Sequence, residues 1–365
     1  MSDEASKLAE QIAERLGEHI AGIPNIKTVS LRRNMRIAGS QVDIDSIVEL
    51  GDRQYEILVV AKADGSPSAI RRAASQLKSI RRSFADVANI YLAVGAPYIS
   101  DQAMGVCEEE HVGCLDAVGN CYLSFGGLHI EIRGNKNLLP AKRSSKSLFS
   151  PKSSRVIRVL LSDVNRLWQV QEIAGEAKIS IGLVSRLKQK LLEEELAVEQ
   201  DRRVRVKSPK RLIDAWVESY RYKRNPLKEY YSLDDGLKAE HRIADYCNRQ
   251  NIHYALGLFS AASRVAPHVR INKAFVFVDA DLDDVASALN FKPVPSGSNV
   301  VFLKPYDAGV FYKSRDIDGL KVVSDVQAYI DLKTYKGRGE EAADFLMQHS
   351  LEPLWRQSQN MGSER

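Results

Sequence analysis

Hydrophobic residues in the first part of the chain change their spacing several times, which predicts an α/β domain. An apolar residue recurs every four positions from Leu8 to Ile20, the spacing of one face of a helix. Continuous apolar runs follow, and runs of this kind are typical of strands. The predicted order after the first helix is strands over 42–50 and 57–61, a helix over 67–84, a strand over 89–96, a helix over 100–111 and a hairpin over 121–132 that turns at Gly126 and Gly127.

The middle of the chain predicts three helices followed by two short strands. Ser180 is placed to cap the third helix, and Asp201 and Arg202 form the turn between the strands. This element order is the layout of a winged helix-turn-helix. The predicted elements are helices over 156–164, 170–177 and from Ser180 to about Glu195, and strands over 196–200 and 203–207.

The last part of the chain changes to alternating helices and strands, which predicts an α+β domain. Its first two helices precede the strands, and a final helix pair closes the domain. The predicted elements are helices over 239–250, 255–266 and 282–289, strands over 274–280, 300–306 and 319–323, and the helix pair from Asp325.

A segment rich in Ser and Lys, with two prolines, separates the first domain from the second and is typical of an exposed linker. A softer break lies around 224–235. The predicted fold class is therefore a multidomain protein with α/β and α+β parts. The predicted boundaries are an α/β domain over 1–139, a linker over 140–154, a winged helix-turn-helix over 155–230, an α+β domain over 231–350 and a tail over 351–365.

Composition narrows the class of protein. Hydrophobic residues make up 44% and charged residues 27%, close to the globular average. No apolar run reaches the length of a membrane span, and the first residues lack the features of a signal peptide, so we expect a cytoplasmic protein with no membrane partner. The four cysteines are too few to staple a chain of this size and are expected to be reduced; they are Cys107, Cys114, Cys121 and Cys247.

Positive charge is concentrated in the middle of the chain. Residues 151–230 contain 18 basic and 11 acidic residues, whereas residues 1–150 contain 18 of each and residues 231–365 contain 16 and 18. A basic segment between nearly neutral flanks is the expected signature of a module that binds a polyanion. Nucleic acid is therefore the first partner to consider.

The third central helix has one apolar face and one face suited to reading DNA bases. Leu183, Val184, Leu187 and Leu191 form the apolar stripe. On the other face, arginine and glutamine match guanine and adenine edges, and glycine allows close approach. That face is predicted to contain Ser180, Gly182, Ser185, Arg186, Gln189, Lys190 and Glu193.

The two strands after this helix predict a basic wing. Its arginines and lysine alternate with Val204 and Val206, so the charges share the solvent side and are expected to contact phosphates. The alternative is that these charges only solubilise a helical interaction domain. The expected phosphate contacts are Arg202, Arg203, Arg205 and Lys207.

The first domain contains Asp43 in one predicted strand, Lys62 at the end of the next strand and Gln76 in the following helix. This order resembles the core of the restriction-endonuclease-like fold, the PD-(D/E)xK superfamily, whose active members surround a divalent metal with acids and a lysine. Here the acid position next to Lys62 is Val60, which cannot bind a hard cation. We therefore expect a degenerate site without catalysis. The alternative is a metal-dependent nuclease completed by Glu14 or Asp45.

Two further groups of residues are candidate metal ligands, but a structural role is the simpler interpretation of each. Cys107, His111, Cys114 and Cys121 lack the tight paired spacing of a structural zinc site, so we expect buried thiols and no metal. Asp279 and Asp281 follow a turn at Gly257 to Ser260, as the Mg²⁺-binding acids of nucleotidyltransferases follow a Gly-Ser turn. The separation is long here, and capping of the next helix is the simpler interpretation.

Several ordered blocks resemble the AbiEi-type antitoxin and transcriptional-regulator family of type IV toxin-antitoxin systems. The resemblance extends over about residues 155–350, and a long N-terminal domain precedes it that a minimal member of the family lacks. The blocks that carry the resemblance are 179–200, 208–221, 252–270, 299–312 and 319–346.

The resemblance implies a winged helix that represses its own promoter and a C-terminal domain with an antitoxin role against a nucleotidyltransferase-like toxin. By position, the recognition helix corresponds to Ser180–Lys190 and the wing to Ala197–Lys207. We therefore expect a non-enzymatic regulator that binds double-stranded DNA, requires no cofactor and forms a homodimer on paired half-sites. A metal-dependent nuclease and a protein-interaction scaffold are the alternatives.

Overall fold

The computed structural model describes residues 3–37, 39–82, 89–136, 148–267 and 272–356. Residues 140–147 of the predicted linker and 357–365 of the predicted tail lie outside this part of the chain. Compactness divides the chain into two units, an N-terminal unit of residues 1–144 with 193–195 and a C-terminal unit of the remainder. No helix in the described residues is long and apolar enough to cross a membrane.

The N-terminal unit contains a mixed sheet whose strands lie in sequence order, from β1 to β7. The third to fifth strands pair parallel, and the other neighbours pair antiparallel. Its elements are α1 (Asp3–Ala21), β1 (Ile26–Ile37), β2 (Ser40–Leu50), β3 (Arg53–Ala61), α2 (Pro67–Arg82), β4 (Ile90–Ala96), α3 (Asp101–Glu109), β5 (Gly113–Asp116), β6 (Cys121–Phe125) and β7 (Leu128–Ile132).

Two apolar cores cover this sheet, because side chains alternate between the faces of a strand. Leu58 and Val60 of β3 pack with α2 and α3, whereas Ile57 and Val59 pack with α1. The predicted helices and strands of this unit are present, and residues 83–84 of the helix predicted over 67–84 lie outside the described residues. Strands β1 and β5 were not predicted, since β1 is mostly exposed and gives no apolar alternation.

The C-terminal unit places helices before and around a second sheet of order β13-β10-β14-β12-β11-β16-β15, with β8 and β9 forming a separate pair. Short 3-10 helices cover Tyr222–Arg224 and Ala308–Phe311, and a π-helical turn covers Met347–Leu351. The other elements are α4 (Pro151–Ser162), α5 (Val170–Ala177), α6 (Ile181–Glu193), β8 (Ala197–Gln200), β9 (Arg203–Val206), α7 (Pro209–Ser219), β10 (Leu227–Tyr231), α8 (Gly236–Arg249), β11 (Tyr254–Leu256), α9 (Leu258–Val265), β12 (Ala274–Val278), α10 (Leu282–Ala288), β13 (Lys292–Pro293), β14 (Val300–Leu303), β15 (Arg315–Ile317), β16 (Leu320–Val322), α11 (Asp325–Lys333) and α12 (Gly339–Leu346).

Two predictions for this unit need correction. The helix predicted over 255–266 begins only at Leu258, because Tyr254–Leu256 forms a buried strand beside β12. Gly257 joins the two elements and packs closely on Phe277, since a Cβ there would lie 2.5 Å from that ring. The strand predicted over 300–306 ends at Leu303, shortly before Pro305, whose ring nitrogen has no hydrogen to donate.

One continuous core joins α4–α7 to the second sheet within the C-terminal unit. At its centre, Arg158 is 1% exposed and lies over the Trp216 ring at 4.7 Å. Its guanidinium donates to the Gln327 side chain, and Gln327 in turn donates to Asp331 at 2.9 Å. Tyr220 donates to the same carboxyl at 2.6 Å. The Nε of Arg158 is buried without a hydrogen-bond partner in the described residues, so this network is not fully satisfied.

Candidate nucleic-acid interface

Helix α6 separates its apolar and polar faces as predicted. Its four stripe residues are buried, and the backbone carbonyl of Ser180 accepts the first helical bonds from Leu183 and Val184. Lys178 ends α5 in the left-handed conformation, with φ of 51°. Lys178 thus lies in the turn between α5 and α6, and the polar face of α6 is exposed because the opposite stripe is buried. The stripe consists of Leu183, Val184, Leu187 and Leu191.

The residues predicted to read bases lie on the solvent side of α6. Arg186 forms no hydrogen bond or ion pair with any residue that the structure describes, so its donors face solvent. Nothing lies within 4 Å of a Cβ built at Gly182, which leaves room for a ligand to approach the backbone. Ser185 donates its hydroxyl hydrogen to the Ile181 carbonyl at 3.0 Å, so only its acceptor capacity remains. Exposed members of the face are Ser180, Gly182, Ser185, Arg186 and Gln189, and Lys190 is half-buried.

The wing has the predicted turn and the predicted alternation. Asp201 and Arg202 both have positive φ, 49° and 62°, which is the geometry of a two-residue hairpin turn. Val204 and Val206 are buried. Of the predicted phosphate contacts, Arg202, Arg203 and Lys207 are exposed and Arg205 is half-buried.

Trp168 adds a backbone contact to the wing that the sequence did not predict. Its N–H donates to the Val204 carbonyl at 2.8 Å, and the Val204 N–H donates back at 2.9 Å. The Arg166 guanidinium stacks on the Trp168 ring at 3.8 Å and binds Glu172 at 2.9 Å. No periodicity marks Trp168, because it pairs as an isolated bridge outside any run of strand residues.

Acidic residues near this surface leave much of its positive charge unpaired. Glu199 of the wing binds Lys188 at 2.6 Å. Glu172 accepts from the backbone N–H of Gln169, and this bond, followed by Arg166, lowers the pKa of the Glu172 carboxyl. In the part of the chain that the structure describes, no ion pair involves Arg186, Arg202 or Arg205. We call α6 and the β8–β9 hairpin together the basic face.

The candidate residues of the N-terminal unit each have a hydrogen-bond partner. The Lys62 amine donates to the Gln76 side chain at 2.9 Å. Each oxygen of Asp43 accepts one hydrogen bond, one from the Gln41 amide at 2.8 Å and the other from the Ala61 N–H at 2.7 Å. Val60, at the position of the missing acid, is 2% exposed.

The two acids considered as substitutes lie on β2 and α1. Asp45 lies beside Glu56, and burial followed by the Asp45 carboxyl raises the pKa of Glu56. Glu14 is exposed on α1. Neither contacts the Lys62 amine by a hydrogen bond or ion pair in the described residues. The arrangement contains one carboxylate, a lysine that is hydrogen-bonded to glutamine, and a valine.

The remaining candidates have structural partners. Cys107, Cys114 and Cys121 are buried free thiols, and His111 is exposed. A hydrogen bond with Cys107, followed by burial, raises the pKa of the Cys114 thiol. Within the described ranges, no three His, Cys, Asp or Glu side chains are arranged to hold a metal ion.

The acidic pair of the C-terminal unit is divided between two roles. Asp281 caps α10, accepting from the N–H groups of Asp283 and Asp284 at 3.0 and 3.1 Å. Ser260 accepts from the Phe275 N–H at 2.9 Å. Asp279 is exposed after β12. The capping interpretation is therefore confirmed for Asp281.

Three solved structures show a weak likeness to part of the chain. The EndoMS complex with double-stranded DNA is 19% identical, with a TM-score of 0.23 over 30% of this chain and 44% of that one. A repair endonuclease from Pyrococcus abyssi is 14% identical, with a TM-score of 0.23 over 29% and 45%. The chain thus spans less than half the length of these structures, and TM-scores this low do not establish a shared fold. No curated protein matches the chain.

A family model matches the C-terminal part of the chain. The family described as transcriptional regulator, AbiEi antitoxin, type IV toxin-antitoxin system matches residues 205–352. The match begins in β9 and extends through α12, so helices α4–α6 lie before it. The resemblance to the AbiEi antitoxin family that the sequence predicts is confirmed, and residues 205–352 carry it.

Proposed function

We propose that this protein is a cytoplasmic transcriptional repressor that binds double-stranded DNA at the promoter of its own gene. The observation that carries the proposal is the basic face: an open helix surface with the unpaired Arg186, followed by a basic hairpin. The major groove admits one α-helix, and arginine pairs bidentately with guanine. Hairpin arginines then contact phosphates on either side of the groove.

The family match supports an antitoxin role for the domain that follows. Residues 205–352 match regulators of type IV toxin-antitoxin systems, and we propose that this domain counteracts a toxin encoded near the same gene. A homodimer would place two basic faces on paired half-sites of the promoter. A promoter fragment with one intact half-site should then bind a single protomer with lower affinity.

The N-terminal unit is proposed to be a restriction-endonuclease-like scaffold without catalysis. Val60 in place of an acid supports this proposal. Metal-assisted hydrolysis needs several oxygen ligands around the cation, and a valine side chain supplies none. Incubation of the full chain with plasmid DNA and Mg²⁺ or Mn²⁺ tests it, and cleavage lost in Asp43→Ala would refute it.

Fluorescence anisotropy with labelled DNA tests DNA binding. The upstream fragment and an unrelated fragment of equal length are titrated with wild type, Arg186→Ala and Arg203→Ala. Loss of a base contact costs about 1–3 kcal/mol at one sequence, whereas loss of a phosphate contact weakens binding to all sequences. Arg186→Ala should therefore lose affinity mainly for the upstream fragment. Arg203→Ala should weaken both fragments and reduce the salt dependence by about one ion.

A matched control removes an exposed arginine outside the basic face. Arg249 ends α8, is exposed and forms no ion pair with a described residue. Arg249→Ala should bind both fragments like wild type. Equal affinity of all four proteins, or no binding at low salt, would contradict the proposal and favour a protein-interaction scaffold.

A further inference from the structure

A cavity of about 280 Å³ opens on one face of the second sheet, inside the region that matches the AbiEi family. Its floor is a row of side chains across three neighbouring strands. Val301 of β14 lies opposite both Glu229 of β10 and Phe275 of β12, so the three side chains share one face of the sheet. Leu227 precedes Glu229 by two residues and therefore lies on the same face. The volume suits a ligand of about one ring.

Two tyrosines border the cavity beside this floor. The Tyr222 N–H donates to the Thr334 hydroxyl at 3.0 Å, which holds the first 3-10 helix next to the end of α11. The Tyr222 and Tyr335 rings meet there, with centroids 5.2 Å apart. The Tyr335 ring also lies edge to face with Phe275, with centroids 5.8 Å apart. A planar ring in the cavity would extend this cluster, and aromatic contacts stabilise beyond the area that they bury.

The lining contains two positive charges and one negative charge, those of Lys223, Lys273 and Glu229. Lys273 binds the Glu229 carboxylate at 3.0 Å, so these two charges offset each other. Lys223 is exposed and forms no ion pair or hydrogen bond with a residue that the structure describes. The lining therefore keeps the net charge of one ammonium group.

Both amines act on the same carboxylate. Hydrogen bonds from Ser298 and Lys273 lower the pKa of the Glu229 carboxyl, partly opposed by burial, and the charges of Lys273 and Lys223 lower it further. The Lys223 ammonium thus lies within electrostatic range of the carboxylate that Lys273 binds. The two amines are therefore on the Glu229 side of the cavity.

The two tyrosine hydroxyls are hydrogen-bond donors on the same side. Burial, followed by Tyr335 and then Glu229, raises the pKa of the Tyr222 hydroxyl. Burial, followed by Glu229, raises the pKa of the Tyr335 hydroxyl. Both hydroxyls are therefore protonated, and neither bonds to a residue in the described part of the chain. An acceptor on a ligand can satisfy them together with the Lys223 ammonium.

We propose that this cavity binds a planar aromatic monocarboxylate. The ring lies against Tyr335 and Phe275, and the carboxylate accepts from the Lys223 ammonium and from the Tyr222 and Tyr335 hydroxyls. One negative charge on the ligand balances the net positive charge of the lining, whereas a cation would add to it and a neutral ring would leave the ammonium unpaired. The site does not depend on the proposed function in DNA binding.

Three probes of nearly equal shape test the charge of the ligand: benzoate is an anion, benzamide is neutral and benzamidine is a cation. Each probe is titrated with the full chain and followed by saturation-transfer NMR of the probe, which detects weak binding. Benzoate is expected to bind with a Kd of about 1 mM. Benzamide should bind at least about threefold more weakly, and benzamidine at least about tenfold more weakly. Acetate lacks the ring and should not displace benzoate at equal concentration.

Variants that keep the aromatic rings locate the bound benzoate. Lys223→Ala removes the exposed ammonium and should weaken benzoate binding at least about fivefold. The double variant Tyr222→Phe and Tyr335→Phe removes both hydroxyl donors and should weaken benzoate binding about threefold. Glu229→Gln removes the carboxylate and should tighten benzoate binding about threefold. Lys238→Ala, which changes an exposed lysine of α8 outside the cavity, should bind benzoate like wild type.

The charge order of the probes and the position of the site can each overturn the proposal. No saturable benzoate signal in wild type, or tightest binding by benzamidine, would exclude a site for a carboxylate. Equal benzoate affinity in wild type and Lys223→Ala would place the anion elsewhere and would also overturn the proposal. Thermal melts show whether each variant is folded. If Lys223→Ala is unfolded, the tyrosine double variant decides by the same comparison with wild type.

Discussion

The buried carboxyl of Asp331 makes stability depend on pH, and Asp331→Asn removes that dependence. Asp331 is fully buried and accepts from Tyr220 at 2.6 Å and from Gln327 at 2.9 Å. These donors and the nearby Arg158 lower its pKa, but desolvation outweighs them and raises the pKa of Asp331 to about 7. The folded protein therefore retains a proton that the unfolded chain releases.

The sign and size of the pH effect on stability follow from proton linkage. An aspartate of the unfolded chain titrates near pH 4, so between about pH 4 and 7 the folded state binds one more proton than the unfolded state. The contribution of Asp331 to stability is fully present below the unfolded pKa and is lost as the pH rises through the folded pKa. A shift of about three pH units corresponds to about 4 kcal/mol. The Asn variant loses this titration and carries a pH-independent cost of about 1–2 kcal/mol, because its amide faces the Gln327 amide.

Urea denaturation of both proteins at pH 5, 6, 7 and 8 measures the difference. Other carboxylates titrate equally in the two proteins, so the difference in unfolding free energy isolates Asp331. From pH 5 to pH 7, wild type should lose about 2–3 kcal/mol relative to Asp331→Asn, and the loss should level off above pH 7. Parallel pH profiles for the two proteins would refute the reasoning, since they would mean that Asp331 is ionised in the folded state.

Two glycine predictions follow from the space around each backbone. Gly182→Ala should stabilise the protein by up to about 1 kcal/mol in thermal melts and leave DNA binding nearly intact. Gly182→Trp should fold equally well and abolish binding to upstream DNA. Normal DNA binding by Gly182→Trp would exclude close approach of DNA at α6. Gly257→Ala should lower the free energy of unfolding by about 1–3 kcal/mol, because its Cβ would lie 2.5 Å from Phe277. The control Gly175→Ala has open space around its Cβ and should be neutral or stabilising. Equal melting temperatures for these two variants would refute the close contact.

Amphipathic elements could be predicted from the sequence because their burial repeats locally. The stripe of α6 and the valines of β9 are buried where the pattern placed them. The long strand β1 gave no such signal, since only Ile26 of its twelve residues is buried. Strand β1 is held by backbone hydrogen bonds to β2, and its side-chain pattern gives little indication of this pairing.

Residues that act through distant partners escaped prediction for a different reason. Arg158 reads as a charged position of an amphipathic helix, yet it is fully buried because Gln327, 169 residues away, accepts its hydrogen bond. Asp43 and Lys62 were placed near each other from strand order alone. Their actual partners, Gln41, Ala61 and Gln76, required the structure, since a side-chain hydrogen bond depends on rotamers as well as on strand order.

The same buried network bears on how the two parts of the C-terminal unit work together. Arg158 belongs to α4, which lies beside α5, whereas Gln327 and Asp331 belong to α11 of the region that matches the AbiEi family. Because the Gln327 amide bonds to both the Arg158 guanidinium and the Asp331 carboxyl, a relative shift of α4 and α11 would break a hydrogen bond to a buried charge, which costs several kcal/mol. The helices before the β8–β9 hairpin and the region that matches the AbiEi family are therefore expected to move as one body. A partner that binds the antitoxin-like domain should then change DNA affinity by blocking or bridging protomers, rather than by reorienting the basic face within one protomer.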